Sequence, residues 1–233
     1  MVNFAVPKPA LRRWATYRKQ MAVKTDSSMI DNIVFDLGGV VIDLKREMCI
    51  AALERLGMKE AGELLDKYVQ RGPFLELECG NITAAEFFDM VRPKCGGASD
   101  EKIQNAFNEF LRALPADRLD ALLRLRKRKR VFALSNTNPV MFNSWIAKAF
   151  SQQGMRINDY FDGVVASFQE GFCKPDPRIF EVLVRRYGLD PARTLFLDDS
   201  ADNCNAARRC GLLAEHITEG NTMLDVVRRL LGE

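Results

Sequence analysis

Short apolar runs alternate with segments of helical periodicity along most of the chain. Five runs rich in branched side chains predict buried strands at residues 33–35, 131–134, 164–166, 194–197 and 212–217. Between and after them, apolar positions follow the 3.6-residue helical period at residues 119–128, 177–187, 203–209 and 222–231. Strands that alternate with helices predict an α/β fold, a parallel sheet with helices on both faces.

The stretch between the first two strands, residues 44–114, has helical periodicity only. We expect four helices in it, at residues 45–56, 60–70, 83–91 and 99–113. Thr83 and Glu86 have the spacing of a capping box, and Ser99 is a good N-cap residue. An insert of this length is expected to be a separate helical cap domain rather than a loop. The predicted core is therefore residues 29–43 together with residues 115–233.

Residues 1–28 differ from the rest of the chain in charge. They carry six basic side chains and one acidic side chain, and they lack the apolar segment of a signal peptide. We interpret them as a disordered extension or an over-long start, and exclude them from the fold. The remaining chain is slightly acidic, which argues against a nucleic-acid-binding face.

The composition excludes several other kinds of protein. No run approaches the roughly 18 apolar residues that a membrane span needs. The chain has one histidine, His216, so sites with several histidine ligands are excluded. Its six cysteines include no C-x-x-C pair, and we expect reduced thiols in a cytoplasmic protein.

Polar side chains stand at the ends of the predicted strands or shortly after them. They occur in IVFDLGG, VFALSNTN, GFCKPDPRIF and TLFLDDSADN, and they are Asp36, Ser135, Asn136, Lys174, Asp198 and Asp199. In a parallel sheet, the carboxyl ends of the strands meet at one edge, where ligands bind. We therefore expect these side chains to face one crevice.

This set of side chains suits phosphoryl transfer. Carboxylate oxygens are the ligands that Mg²⁺ prefers, and Asp36 and Asp199 would supply them. A hydroxyl, backbone N–H groups and a lysine can hold and neutralise a phosphate group. A carboxylate can then attack phosphorus and form an aspartyl-phosphate that water hydrolyses.

The ordered motifs DLGG, SNT, KPDPRIF and DDSADN resemble the haloacid dehalogenase-like (HAD) hydrolase superfamily over residues 29–233. The position of the insert is similar to that of the superfamily's C1 cap. The DLGGVVID form is most similar to bacterial sugar-phosphate phosphatases of the α-glucose-1-phosphatase type. The resemblance implies a Rossmannoid sheet with a C1 cap and Mg²⁺-dependent hydrolysis of a small phosphomonoester, such as a sugar phosphate, through an aspartyl-phosphate.

The resemblance also implies roles around the metal ion. Asp36 is the nucleophile and a Mg²⁺ ligand, Gly38 offers its backbone carbonyl, and Asp199 is the third protein ligand. Asp198 either binds the ion or lies behind the ligands. Asn203 is expected to orient the Asp199 carboxylate from the following helix.

Further implied roles concern the substrate. Ser135 and Asn136 hold the phosphate group, and Lys174 neutralises its charge. Glu78, in the cap stretch LECGNIT, reaches into the crevice when the cap closes, although a plain helix–turn–helix linker is an alternative interpretation. The expected partner is a small phosphorylated metabolite, not a nucleic acid or a membrane. The identity of the sugar stays open, as does the choice between monomer and homodimer.

Gly38 departs from the pattern of the superfamily, in which most members have an aspartate two residues after the nucleophile. That aspartate protonates the leaving oxygen, and loss of such a group typically costs about 10²–10⁴-fold in rate. We favour an acidic leaving group, such as that of a sugar 1-phosphate, assisted by water or Glu78. A weakly active or inactive phosphate-binding regulatory module is the main alternative. A haloacid dehalogenase is a weaker one, because those enzymes act without Mg²⁺ whereas Asp198 and Asp199 keep a metal site.

Overall fold

The computed structural model describes residues 27–233 and contains two sheets. In chain order the strands are β1 (Asn32–Phe35), β2 (Asp43–Leu44), β3 (Leu111–Ala113), β4 (Arg130–Ser135), β5 (Gly163–Ala166), β6 (Thr194–Asp198) and β7 (Leu213–His216). Five of them form a parallel sheet in the order β5-β4-β1-β6-β7. All five predicted strands are present, and they are parallel as expected.

Helices connect the strands throughout the described part of the chain. They are α1 (Arg46–Arg55), α2 (Ala61–Leu64), α3 (Pro73–Glu78), α4 (Ala84–Val91), α5 (Asp100–Asn108), α6 (Ala116–Arg126), α7 (Pro139–Met141), α8 (Ala147–Phe150), α9 (Ile157–Tyr160), α10 (Ser167–Glu170), α11 (Pro177–Tyr187), α12 (Ala201–Arg209) and α13 (Met223–Leu231). A π-helical segment, Phe142–Ile146, joins α7 to α8. Short 3₁₀ turns lie at Ser27–Met29, Pro93–Cys95, Ser151–Gln153 and Pro191–Arg193.

Both faces of the parallel sheet are buried under helices. Successive side chains of a strand point to opposite faces, so Ile33 and Phe35 pack in one apolar cluster and Val34 in another. The first cluster includes residues of α6 and α13, and the second includes residues of α11 and α12. This explains why β1, β4 and β6 are continuous apolar runs rather than alternating ones.

The cap begins and ends in a small antiparallel ladder. Asp43 of β2 pairs with Ala113 of β3, and Leu44 pairs with Leu111. Just beyond, the backbone N–H of Lys45 donates to the carbonyl of residue 110 at 2.8 Å. The two chain crossings between core and cap therefore lie side by side. The limits of the cap at residues 44 and 114 stay a prediction.

The prediction of an all-helical insert is wrong at its last element. We expected a helix over residues 99–113, but α5 ends at Asn108 and β3 follows. The helical period of this segment could not show the long-range pairing with β2. Helix α3 was not predicted, although Pro73 occupies the first helical position that proline favours. The predicted capping box of Thr83 and Glu86 is present.

The expected helix over residues 60–70 is also too long, since α2 ends at Leu64. The Asp66 carboxylate accepts hydrogen bonds from the backbone N–H groups of Tyr68 (3.0 Å) and Val69 (3.4 Å). The Gln70 side chain donates to the Asp66 carbonyl at 2.9 Å. Such local side-chain bonds satisfy the backbone without a helix. Residues 65–70 therefore form a loop that extends toward the core.

Most of the predicted N-terminal extension, residues 1–26, lies outside the described residues. Within residues 27–233, the longest helices are far too short or too polar to cross a lipid bilayer.

Candidate active site

The three central strands bring the predicted polar residues to one edge of the sheet. β1 lies between β4 and β6, so Asp36, Ser135 and Asp198 stand at neighbouring strand ends. Asp199 follows directly, and Lys174 comes from the loop after α10. All but Asp198 line one crevice between the sheet edge and the cap, and Asp198 lies directly behind it. The prediction that the polar residues at these strand ends face one crevice therefore agrees with the geometry.

A buried lysine joins two of the carboxylates. Lys174 Nζ lies 2.9 Å from Asp36 Oδ1 and 2.7 Å from Asp198 Oδ2, and it donates to the Leu134 carbonyl at 3.1 Å. The Lys174 side chain is 1% exposed and that of Asp198 is fully buried. A buried charge is stable only when it is paired and hydrogen-bonded. These three side chains therefore form one interdependent cluster.

The electrostatics of this cluster follow from burial. Burial raises the pKa of Asp36, as do the Asp198 and Asp199 carboxylates, while the ammonium of Lys174 opposes them. Burial alone would lower the pKa of Lys174, but the two carboxylates outweigh it and keep the pKa above its ordinary value. Lys174 is thus a permanent positive charge beside Asp36.

The donor set fits a divalent cation of the magnesium type. One oxygen each of Asp36, Asp198 and Asp199 lie within 4.8 Å of one another. Asp199 Oδ2 is buried, and its charged neighbour among the described residues is Lys67 Nζ at 2.8 Å, from a half-exposed side chain. A buried carboxylate oxygen that already faces a cation is a suitable ligand for a hard metal ion.

The backbone after Asp36 is shaped around Asp199. Gly39 has φ +74°, and a Cβ at this position would lie 2.3 Å from Asp199 Oδ2. The Asp199 carboxylate therefore rests directly against the backbone of the DLGG motif. Gly38 also lines the crevice, and the nearest atoms to a Cβ there would belong to the Leu44 side chain, at 3.3 Å or more. The two glycines thus differ. Only at Gly39 would a Cβ collide with the Asp199 carboxylate, so only this position has to be glycine.

Asp198 is held more completely than either of its neighbours. Its Oδ1 accepts hydrogen bonds from the Ser200 N–H (2.8 Å) and from Asn203 Nδ2 (3.1 Å), and its Oδ2 accepts one from Lys174. We expected Asn203 to orient Asp199, but it contacts Asp198 instead. Asn203 lies in the first turn of α12, and its side chain reaches back to Asp198 at the end of β6. Asp198 therefore holds Lys174 in place. Asp199 takes no part in that ion pair and faces the crevice.

The Asn136 side chain also contacts Lys174. Its amide nitrogen donates to the Lys174 carbonyl at 2.9 Å, and its oxygen accepts from the Lys174 N–H at 2.7 Å. Both polar atoms of the amide are therefore engaged in positioning the loop that carries the lysine. Ser135 lines the crevice beside it and is 2% exposed. Phosphate binding by Ser135 and Asn136 stays a prediction.

The cap contributes a second wall to the crevice. Glu78, at the end of α3, is 8% exposed, and its carboxylate accepts no hydrogen bond from the described residues. Burial raises its pKa to about 7, although Lys174 acts in the opposite direction. Lys67 and Tyr68 reach the crevice from the loop after α2, and the Tyr68 hydroxyl donates to the Asp199 carbonyl at 3.3 Å. No motif or spacing in the sequence pointed to Lys67 or Tyr68.

Ser167 is a further site residue that the sequence reasoning missed. Its buried hydroxyl accepts a hydrogen bond from the Thr137 N–H at 3.0 Å and lies 2.6 Å from the Glu78 carbonyl. It follows β5 directly, so the rule that singled out polar residues at strand ends would have found it. Ser167 thereby links the core to the cap beside Glu78.

A disulfide bond connects the cap to the core next to this contact. Cys79 is bonded to Cys173, and their Cα atoms are 5.7 Å apart. The expectation of six reduced thiols is therefore wrong for this pair in the structure. The remaining cysteines are free thiols: Cys49, Cys95, Cys204 and Cys210. A pairing across 94 residues depends on the tertiary fold and cannot be deduced from spacing alone.

A family model for the haloacid dehalogenase-like hydrolases matches residues 30–211. The chain therefore belongs to the haloacid dehalogenase-like hydrolase family, and the resemblance given by the four motifs is confirmed. The match covers the sheet from β1 to the end of α12 and includes the cap.

Similar proteins agree with this assignment over nearly their whole length. A D-ribitol-5-phosphate phosphatase from Bacteroides thetaiotaomicron is 39% identical over 184 residues, which is 78% of this chain and 89% of the relative. A solved structure of a HAD family enzyme from the same organism, an alanine mutant bound to magnesium and inorganic phosphate, is 37% identical. Its TM-score is 0.81 over 85% of this chain and 99% of that one.

A HAD-like family hydrolase structure from Porphyromonas gingivalis is also similar. It is 35% identical, with a TM-score of 0.80 over 88% of this chain and 99% of that one. The predicted fold class, a HAD-like parallel sheet with a helical cap, is confirmed by these likenesses.

Proposed function

We propose that the chain is a Mg²⁺-dependent phosphatase that hydrolyses a small sugar or sugar-alcohol phosphate through an aspartyl-phosphate on Asp36. The observation that carries this proposal is the buried Lys174 between Asp36 and Asp198, with the Asp199 carboxylate, paired to Lys67, at the same sheet edge. The ribitol-phosphate phosphatase at 39% identity supports the substrate class. Magnesium and phosphate in the solved HAD enzyme support the cofactor.

Asp36 is arranged to attack a phosphorus atom. Its Oδ1 is held by the Leu37 N–H at 2.7 Å and by Lys174, whereas Oδ2 has no donor among the described residues. Asp36, Asp199 and the Gly38 carbonyl would hold Mg²⁺, which neutralises charge on the transferring phosphoryl group when bound. Lys174 adds a fixed positive charge beside Asp36 Oδ1. The nucleophile is thus oriented before substrate arrives, which lowers the cost of reaching the transition state.

Glu78 supplies the proton handling that Gly38 cannot. The relative's substrate, ribitol 5-phosphate, is an ester of a primary alcohol, which leaves poorly without a proton. A shared substrate class would therefore remove the basis for our acidic-leaving-group explanation. Glu78 faces the crevice, and a pKa of about 7 lets it both give and take a proton near neutral pH. It protonates the leaving oxygen first and then accepts a proton from the water that attacks the aspartyl-phosphate.

A panel of phosphate esters tests the function directly. Phosphate release is measured with Mg²⁺ from ribitol 5-phosphate, a sugar 1-phosphate, a sugar 6-phosphate, phosphoglycolate and a nucleotide. Asp36→Asn is the blank, and Asp202→Asn, an exposed aspartate of α12, is the matched control. We expect release from the sugar-alcohol and sugar esters by the wild type and the control only.

Three other outcomes would contradict the proposal. Equal release by wild type and Asp36→Asn on every ester would exclude catalysis by Asp36. Saturable binding of an ester without turnover would instead indicate the regulatory module. Halide release from 2-chloropropionate without Mg²⁺ would indicate a dehalogenase.

A further inference from the structure

The disulfide between Cys79 and Cys173 lies at a tightly packed contact between cap and core. Ser167 hydrogen-bonds the Glu78 carbonyl on one side of it. On the other side, a Cβ at Gly80 would lie 2.1 Å from the Phe168 carbonyl oxygen, so the two backbones touch. The two cysteines are held together by the surrounding fold, and their Cα separation of 5.7 Å is normal for a disulfide.

Each cysteine is adjacent in sequence to a residue of the crevice. Cys79 follows Glu78 of the cap wall, and Cys173 precedes Lys174 of the core wall. A bond between these two cysteines therefore fixes the distance between the walls close to the site of chemistry. Both cysteines are half-buried, so a small thiol or disulfide reagent can reach them from solvent.

The bond also restricts how the cap can move. The two chain crossings between core and cap run side by side in the β2–β3 ladder, which makes that ladder a natural hinge. The disulfide is a third covalent connection, outside this ladder, and a body joined at a hinge and at a second point cannot rotate freely about the hinge. Because the crevice lies between cap and core, we expect this rotation to admit the substrate.

We propose that Cys79 and Cys173 form a reversible oxidative modification site that locks the cap onto the core and stops turnover. The thiolate of one cysteine attacks a low-molecular-weight disulfide of the glutathione type and releases one thiol. The second cysteine displaces the other thiol, which forms the protein disulfide. Two protein thiols and one disulfide thus give one protein disulfide and two free thiols, and excess thiol reverses the reaction.

The other cysteines are poorly suited to this exchange. Cys49, Cys95 and Cys204 are buried, and burial raises the pKa of each thiol above its ordinary value. Cys210 is half-buried like Cys79 and Cys173 but has no cysteine partner, so it is the matched control. The proposal rests on the proposed phosphatase function only for its effect on turnover, since the lock itself is measured without substrate.

The full-length protein is equilibrated in buffers of rising ratio of oxidised to reduced glutathione. Free thiols are then blocked with N-ethylmaleimide and counted by intact mass. Hydrogen–deuterium exchange of the loop at residues 65–72 and of α3 reports cap opening. Phosphate release from ribitol 5-phosphate reports turnover. The variants are Cys79→Ser, Cys173→Ser and Cys210→Ser.

We expect oxidation to remove two blockable thiols in wild type and Cys210→Ser, to slow exchange in the cap, and to lower kcat/KM about tenfold or more. Excess reduced glutathione restores all three quantities. Cys79→Ser and Cys173→Ser are expected to keep their turnover under the same oxidising buffer.

The proposal is overturned if the pair stays reduced at every ratio. It is equally overturned if the disulfide forms while cap exchange and turnover stay unchanged. Absence of phosphate release in both redox states would refute the proposed function, while thiol counts and cap exchange would still decide whether the lock exists.

Discussion

The two walls of the crevice are built differently. On the core wall, Asp198 accepts hydrogen bonds at both oxygens and Lys174 is bonded on three sides. On the cap wall, the Glu78 carboxylate has no hydrogen-bond donor among the described residues, and the Lys67 side chain is 47% exposed. The core wall therefore fixes the proposed nucleophile, Asp36, and its charged neighbours. The cap wall leaves groups free to meet a substrate, which is where relatives with different substrates are expected to differ.

The largest effect is expected on the core wall, from Lys174→Met. Removing the ammonium leaves two buried carboxylates without a counter-charge, which costs about 3–5 kcal/mol of unfolding free energy. Phosphate release should also fall to the level of the Asp36→Asn blank. Chemical denaturation and the ester panel measure the two effects. Lys148→Met, an exposed lysine of α8, is the control, and equal stability of the two variants would refute the interdependent cluster.

On the cap wall, Glu78→Gln should affect turnover most. We expect kcat/KM on ribitol 5-phosphate to fall about 10²–10⁴-fold, because the leaving alcohol loses its proton donor. On phenyl phosphate, whose leaving group needs less protonation, the loss should be at most about tenfold. Glu63→Gln, an exposed cap residue of α2, is the control. An equal loss on both esters would show that Glu78 positions the substrate rather than protonating it.

Glu78→Gln, which should lower turnover, is expected to raise the stability of the protein. The pKa of Glu78 is about 7 in the folded protein against an ordinary value of 4.5, so the unfolded chain releases the proton first. Stability of the wild type therefore falls as pH rises between these values and stays lower above them. Glu78→Gln removes this loss and should be more stable above pH 7 by up to about 3 kcal/mol. Below about pH 4 the two proteins should unfold at similar denaturant concentrations.

A smaller effect is expected from Gly39→Ala, which tests the contact between the DLGG motif and Asp199. The added methyl group must displace the Asp199 carboxylate, so Mg²⁺ affinity should fall about 10–100-fold. Titration calorimetry with Mg²⁺ measures this loss. Gly154→Ala is a matched control, since Gly154 has the same φ of +74° but no atom within 4 Å of the added carbon. Similar Mg²⁺ affinities in both variants would show that Asp199 is not a ligand.

The smallest effect is expected from Lys67→Met on the cap wall. The ion pair with Asp199 involves a half-exposed lysine, so its loss should change stability by less than about 1 kcal/mol. Mg²⁺ affinity should rise up to about fivefold, because a competing cation leaves Asp199. Gly39→Ala, in contrast, is expected to lower Mg²⁺ affinity. Calorimetry with Lys59→Met as an exposed control checks it, and weaker Mg²⁺ binding would contradict it.

The sequence predicted the core wall better than the cap wall, for a physical reason. In a parallel sheet, a buried apolar run fixes where each strand ends, and the residue that follows it must lie at the active edge. Asp36, Ser135 and Asp198 were therefore located by position alone. Helical periodicity in the cap gave helix faces but not their ends, because the Asp66 side chain stops α2 through local hydrogen bonds.

Contacts between distant segments were not accessible to sequence reasoning. The pairing of β2 with β3, the bond between Cys79 and Cys173, and the turn of Asn203 toward Asp198 all depend on how helices pack. Ser167 is the exception, since it follows β5 as Ser135 follows β4. A consistent use of the strand-end rule would have included it.

The β2–β3 ladder has an evolutionary consequence. Because Asp43 and Ala113 are directly paired, the two ends of the intervening segment lie only about 5 Å apart. A gene fragment encoding that segment can thus be exchanged for another one whose ends lie equally close together, with both chain crossings kept. Recombination at this point would combine the nucleophile of one parent with the cap wall of the other, including the residue at position 78 that handles the proton.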